Sequence, residues 1–265
     1  MKYRISTAAG LILTLLAAFF VPSPVRAADE EPIFMYSVCY KAQAGKRAEL
    51  QEFLTETAPK LAKARIAESN QISWGASASV VPIGENAECD FITSRTYRGA
   101  PTDLALTSAS ARAKAGLDEE KTSAQFQSSA RIISSALWRV VDGFGEMNVG
   151  DYFTVDRMDA TSLADWTEIE SRIFKPVQEE RAKSGHIKAW YAYRAVAPTG
   201  ADRAYNAVTI NVLEGLDQLG APAGYDKAFQ KVHPDVRVDW VMEKTQNTRT
   251  IVQSTISRSI ALVRE

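Results

Sequence analysis

Two periodicities alternate along the chain. Leu163, Trp166, Ile169, Ile173 and Val177 recur at spacings of three and four, the single apolar face of an amphipathic helix. Ser162 followed by Asp165 supplies a capping pattern where that face begins. Gly185 supplies a stop where it ends. A short strand is predicted before this helix, at 152–157. After it come a β-rich run at 187–196, a turn at Pro198-Thr199-Gly200 and a second run at 205–213. In the second run Val208, Ile210 and Val212 alternate with Ala207, Thr209 and Asn211, which is the period of a strand.

The same order occurs earlier in the chain. A displacement of 116 residues brings Tyr36 onto Tyr152, Arg65 onto Arg181, Trp74 onto Trp190, Pro82 onto Pro198, Thr93 onto Thr209 and Gly99 onto Gly215, without a gap. A match kept in one register through a helix, a turn and two strands indicates two copies of one unit. In the first copy the helix starts near Lys46, and strands fall near 72–81 and 89–97. Pro59 and Pro176 stand inside the two helices, one position out of that register. Proline there removes a hydrogen bond and clashes with the preceding turn, so both helices should bend. Beyond Gly99, helices are predicted at 104–127 and 235–247 and last strands at 131–141 and 249–263. Asp142, Gly143 and Gly145 form the linker. Each copy reads βαββαβ, the ferredoxin-like order, so the fold class is α+β with tandem units at 28–144 and 145–265.

Residues 1–27 have a different character. Lys2 and Arg4 precede an apolar stretch at 11–21 interrupted only by Thr14. Pro22 and Pro24 follow, then Val25 and Ala27 at cleavage positions −3 and −1. This is the order of a secretory signal peptide. The stretch is shorter than the ~20 residues of a membrane span. The protein is expected to be exported, periplasmic or secreted, with no membrane span after cleavage. Across 265 residues, 31 basic and 32 acidic side chains give a net charge of −1, so nothing supports nucleic-acid binding. Two cysteines and two histidines leave little for a metal site, and no hydrolase, zincin or nucleotide-binding motif occurs. No metal and no cofactor are expected. His186, beside Gly185, and His233, before Pro234 at an expected helix start, read as solvent-exposed loop histidines.

The Tyr-bearing first strand, the run Phe174-Lys175-Pro176-Val177, and Ile187-Lys188-Ala189-Trp190-Tyr191 before a Pro-x-Gly turn resemble the dimeric α/β-barrel superfamily. They are most similar to its secreted bacterial tandem-domain members, and the resemblance covers most of 33–265. It implies that two ferredoxin-like sheets face each other and close an α/β barrel, here within one chain. The superfamily includes cofactor-free monooxygenases and haem-handling proteins that rely on a histidine ligand. Neither histidine here belongs to an apolar strand that would line a pocket.

Side chains alternate across a strand, so one face of each strand looks into such a barrel. With Val208, Ile210 and Val212 assigned to the helices, Thr209 and Asn211 turn inward, and Thr93 and Arg95 with them. With Phe153 and Val155 also assigned to the helices, Tyr152 and Asp156 turn inward, matched by Tyr36 and Tyr40. These eight are the candidate pocket residues. Either they satisfy one another, with Arg95 pairing Asp156, or they hold a small polar or aromatic ligand. The Trp74–Trp190 pair reads as packing. The same facing puts Cys39 on the helix side and Cys89 on the barrel side, so two free thiols are expected. The leading functional expectation is an exported, non-catalytic small-molecule-binding protein. The alternatives are a cofactor-independent monooxygenase-like enzyme acting on a small aromatic, and a self-associating interaction protein. Homo-oligomerisation is compatible with each.

Overall fold

Short apolar runs punctuated by glycine and proline form eight strands, and the sheet they make has no free edge. The structure, a computed structural model, describes residues 31–84, 87–104, 109–200, 204–220 and 223–265. The expected signal segment, 1–27, lies outside the described residues. The strands are β1 (Ile33–Ala42), β2 (Gln71–Val81), β3 (Phe91–Arg98), β4 (Ala130–Phe144), β5 (Tyr152–Ala160), β6 (Ala189–Ala197), β7 (Ala207–Leu213) and β8 (Arg249–Arg264). They pair in the order β1-β3-β2-β8-β5-β7-β6-β4 and close into a barrel. Every pairing is antiparallel. The first half runs β4-β1-β3-β2 and the second β8-β5-β7-β6, the same order twice. Two seams join them, β2 on β8 and β4 on β6. Closure removes the unpaired edges through which open sheets aggregate, and Glu31–Glu265 is one compact unit.

Helices cover the outside of the barrel. α1 (Arg47–Glu52) and α2 (Ala58–Ile66) are joined by a π turn at Phe53–Thr57. α5 (Leu163–Ile169) and α6 (Lys175–Lys183) are joined by a π turn at Glu170–Phe174. Pro59 and Pro176 fall in the first turn of α2 and α6, so the expected bend takes the same form in both halves. The wide turn accommodates a residue that brings no N–H and a bulky ring. The Ser162 hydroxyl accepts the Asp165 N–H at 3.3 Å, and Gly185 ends α6 at φ 73°. α3 (Ala109–Lys114), α4 (Glu119–Ser129), α7 (Ala223–Val232) and α8 (Val238–Thr248) complete the layer. α7 has no counterpart among the predicted elements. Among the described residues no helix is long and apolar enough to cross a membrane.

The strand register tests the internal repeat residue by residue. Trp74 pairs with Arg95 and Trp190 with Asn211, so these two tryptophans take matching positions. Tyr36, however, faces Arg95, whereas Thr154, not Tyr152, faces Asn211. The first strands are therefore two residues out of the 116-residue register, and the helices one. A slip of two keeps every side chain on its own face. The expected linker is corrected too: Asp142 and Gly143 lie within β4, and only Gly145 lies beyond it.

The two cysteines are joined. Cys39 and Cys89 form a disulfide, with Cα atoms 5.3 Å apart, which overturns the expectation of free thiols. Two assumptions failed. Cys39 shares the barrel-facing side of β1 with Met35 and Ser37, and Cys89 lies in the loop before β3, where strand alternation does not apply. The histidines are half-buried rather than exposed. His233 follows α7 instead of starting a helix, and its Nε2 lies 3.1 Å from the Ile173 carbonyl.

Candidate functional site

The facing of the strands decides where a site can form, and it is the reverse of the expected one. Phe153, Val155 and Arg157 of β5, and Val208 and Ile210 of β7, look into the barrel. Tyr36, Tyr40, Thr93, Arg95, Tyr152, Asp156, Thr209 and Asn211 therefore lie on the helix-covered side, and none of them lines the barrel cavity. Both faces of this sheet are buried, one against helices and one against the opposite wall. An aliphatic alternation then marks a strand without marking which way it faces. Asp156 accepts a hydrogen bond from the Ser254 hydroxyl at 2.5 Å, and Arg95 packs over the Tyr36 ring at 5.6 Å, in opposite halves of the sheet.

Three of the eight residues do converge, under the first pair of helices. Tyr40, Thr93 and Arg95 line a small cavity of about 60 Å³ with Trp74, Arg65 and the apolar side chains Phe53, Leu54 and Phe126. The Tyr40 hydroxyl lies 3.2 Å from Thr93 Oγ1. Burial raises the Tyr40 pKa, the Thr93 bond opposing it, so the phenol stays protonated. Arg65 is 8 % exposed and Arg95 4 %. Burial first, and then the charge of Arg95, pull the Arg65 guanidinium down to about 10. Its Nη2 is buried and has no hydrogen-bond partner. A buried donor without a partner costs roughly 1–3 kcal/mol, more when charged. Two guanidiniums, a hydroxyl pair and an indole facing one space can hold an anionic oxygen attached to a ring.

Of the other five, Tyr36 stacks with Arg95 in the first half, and the four in the second half build no equivalent. By register Asn211 stands where Arg95 does, and Met158, 1 % exposed, where Tyr40 does. Ala182 takes the place of Arg65 and packs with Trp190, Met158 and Trp166 in a closed apolar core. Asn211 donates to Thr154 Oγ1 at 3.2 Å. The charged pocket is a property of one half.

Sequence reasoning missed Arg65, and a signal for it existed. Ala58, Leu61, Ala62 and Arg65 form the buried stripe of α2, so an arginine occupies an apolar position. Phe53 and Leu54 come from the π turn, an element frequent at functional sites.

The barrel interior is a second space. It encloses about 510 Å³ between the two halves and is lined by Trp138, Phe153, Tyr191, Tyr193 and Arg157, among others.

No protein-family model and no curated protein matches the chain. Solved structures do. A protein from Lactobacillus acidophilus, described provisionally as a monooxygenase, is 12% identical over 89% of this chain and 97% of its own, with a TM-score of 0.51. An anthrone oxidase-like protein is 12% identical over 89% and 94%, with a TM-score of 0.53. A second provisional monooxygenase, from Fusobacterium nucleatum, is 13% identical over 89% and 95%, with a TM-score of 0.50. At this identity the likeness shows the fold alone, an antiparallel barrel covered by helices. The expectation of a non-catalytic binding protein is nevertheless corrected. These neighbours are described as oxygenases or oxidase-like, in line with the monooxygenase alternative.

Proposed function

We propose that the protein is an exported, cofactor-independent oxygenase acting on an acidic polycyclic aromatic of the anthrone or phenol class. The observation that carries this reading is Arg65: a buried guanidinium with an unpartnered Nη2, facing a cavity beside a second buried arginine. A phenolate or enolate oxygen would satisfy that donor and offset the repulsion between the two cations. The guanidiniums lower the acidity barrier for such a substrate, since opposite charges at 4–6 Å favour the ionised form. The substrate gives its ring proton to solvent water, the resulting carbanion transfers an electron to O2, the two radicals join, and the peroxide anion takes up a proton. Loss of water from the hydroperoxide leaves a ketone, so a ring CH2 and O2 become C=O and H2O. Tyr40 and Thr93 are placed to donate to the peroxide oxygen. The cavity admits the oxygen end of such a molecule; its rings require Phe126, Phe53 and Leu54 to part.

Two further parts belong to this reading. The leader-like residues 1–27 support export. The repeated strand order supports tandem units at 28–144 and 145–265, of which the first keeps the chemistry. The test is oxygen uptake with anthrone by the purified protein after removal of 1–27, with ¹⁸O2 to trace the ketone oxygen. Arg95→Met and Arg65→Met should each lower kcat/KM by about 10²-fold, the usual loss on removing one oxyanion donor. Uptake no faster than in buffer, or variants as fast as the parent, would refute the proposal.

A further inference from the structure

The barrel interior is chemically unlike the helix-side pocket, and the oxygenase reading makes no use of it. Its volume of about 510 Å³ lies within the roughly 300–1,000 Å³ of small-molecule sites. Its wall is made by both halves: Trp138 of β4, Phe153 of β5, and Tyr191 and Tyr193 of β6 present rings. Small residues on β2 and β3, Gly75 and Ser94 among them, keep the opposite wall low. A barrel that served packing alone would fill this space with large aliphatics.

Polar groups in the cavity are few and placed apart. The Tyr193 hydroxyl has no hydrogen bond among the described residues, although the side chain is 8 % exposed. Burial raises its pKa, so it remains a neutral donor. Towards the Cys39–Cys89 end stands Arg157, 6 % exposed. Its Nη1 bonds Gln253 and lies 3.7 Å from a Glu88 carboxylate, too long for a hydrogen bond. The guanidinium packs on the Tyr205 ring, which stacks with Trp138 at 6.0 Å. Nε and Nη2 carry no hydrogen bond among the described residues. No carboxylate or histidine lines the main cavity among those residues, and the other charged side chain there, Arg264, is exposed.

We infer that the barrel interior is a binding site for a hydrophobic monocarboxylate, with the apolar body between Trp138, Phe153 and Tyr193 and the acid on Arg157. A carboxylate accepts two parallel N–H bonds from a guanidinium, and Arg157 has two nitrogens free to give them. An uncharged ligand of the same body would keep the ring contacts and lose that anchor.

The experiment is calorimetric titration of the full chain with 2-naphthoate and, separately, with uncharged 2-naphthalenemethanol. Naphthoate should bind the parent with one site in the barrel. Arg157→Met should weaken naphthoate about tenfold or more, as expected for a bond to a charged group, and leave the alcohol unchanged. Arg157→Lys should recover part of the loss. Ser94→Phe, which fills the cavity from a small-residue position, should abolish both. Thermal melting verifies that each variant is folded. Absence of naphthoate binding, or binding indifferent to Arg157→Met and Ser94→Phe, would overturn the inference. So would a loss in Arg95→Met without one in Arg157→Met, which would assign the acid to the helix-side pocket. Oxygen uptake with anthrone is read independently, so failure here leaves the oxygenase reading standing.

Discussion

Arg65 shows how one side chain can work against stability and for function. Its side chain is nine-tenths buried beside Arg95, and its pKa is pulled below the ordinary guanidinium value to about 10. A base whose folded pKa lies below its unfolded value binds its proton less well in the native state. Stability therefore rises with pH from about 10 up to the ordinary arginine value, and below about 10 the penalty is present in full. Ligand-free Arg65→Met should accordingly melt at a higher temperature than the parent at pH 7–9, with the gap closing as pH passes 10. A melting temperature below the parent's at neutral pH would mean that the charge is stabilising where it stands. The residue types of this pocket were legible in part. Tyr40, Thr93 and Arg95 stood out as polar residues in apolar strands, but Arg65 was hidden because a helical arginine is normally solvated.

At the scale of elements, periodicity located the strands and first helices well because each has a strong period and a punctuating residue. Pro59 and Pro176 announced their bends for the same reason. Facing was not legible: Val208, Ile210 and Val212 are apolar toward the barrel, and Ala207 and Leu213 are as apolar toward the helices. α7 was missed although Tyr225, Ala228, Phe229 and Val232 have helical spacing. It is ten residues long, and a helix of that length owes its stability to packing, here on α6. The turn after β4 makes a sharper demand. Gly145 sits at φ 79°, and a Cβ there would lie 2.7 Å from the Lys188 carbonyl oxygen. Its own carbonyl accepts the Tyr191 hydroxyl at 2.6 Å. Gly145→Ala should lower unfolding free energy by at least about 1–2 kcal/mol, the left-handed backbone penalty alone. Urea denaturation measures this, and an unchanged midpoint would show that the turn relaxes freely.

At the scale of the whole barrel, its two halves repeat one strand order without being equivalent. Their strand orders are the same, and their registers have slipped by two residues in the first strand and one in the helix. Such small slips left the repeat visible in sequence; Cys39 and Tyr152 were misplaced by the reversed facing instead, since a slip of two keeps each side chain on its own face. The first copy retains Arg65, Arg95 and Tyr40 around a cavity; the second has closed over Ala182, Asn211 and Met158. The central claim is that the first copy grips an ionised aromatic oxygen. The measurement that reaches it most directly is a spectrophotometric titration of 2-naphthol bound to the protein, because the phenolate absorbs at longer wavelength than the phenol. The account predicts a bound pKa 1–3 units below that of free naphthol, the range for a group beside a guanidinium, and a return toward the free value in Arg65→Met and Arg95→Met. A bound pKa equal to or above the free value, or a depression that survives both substitutions, would contradict it.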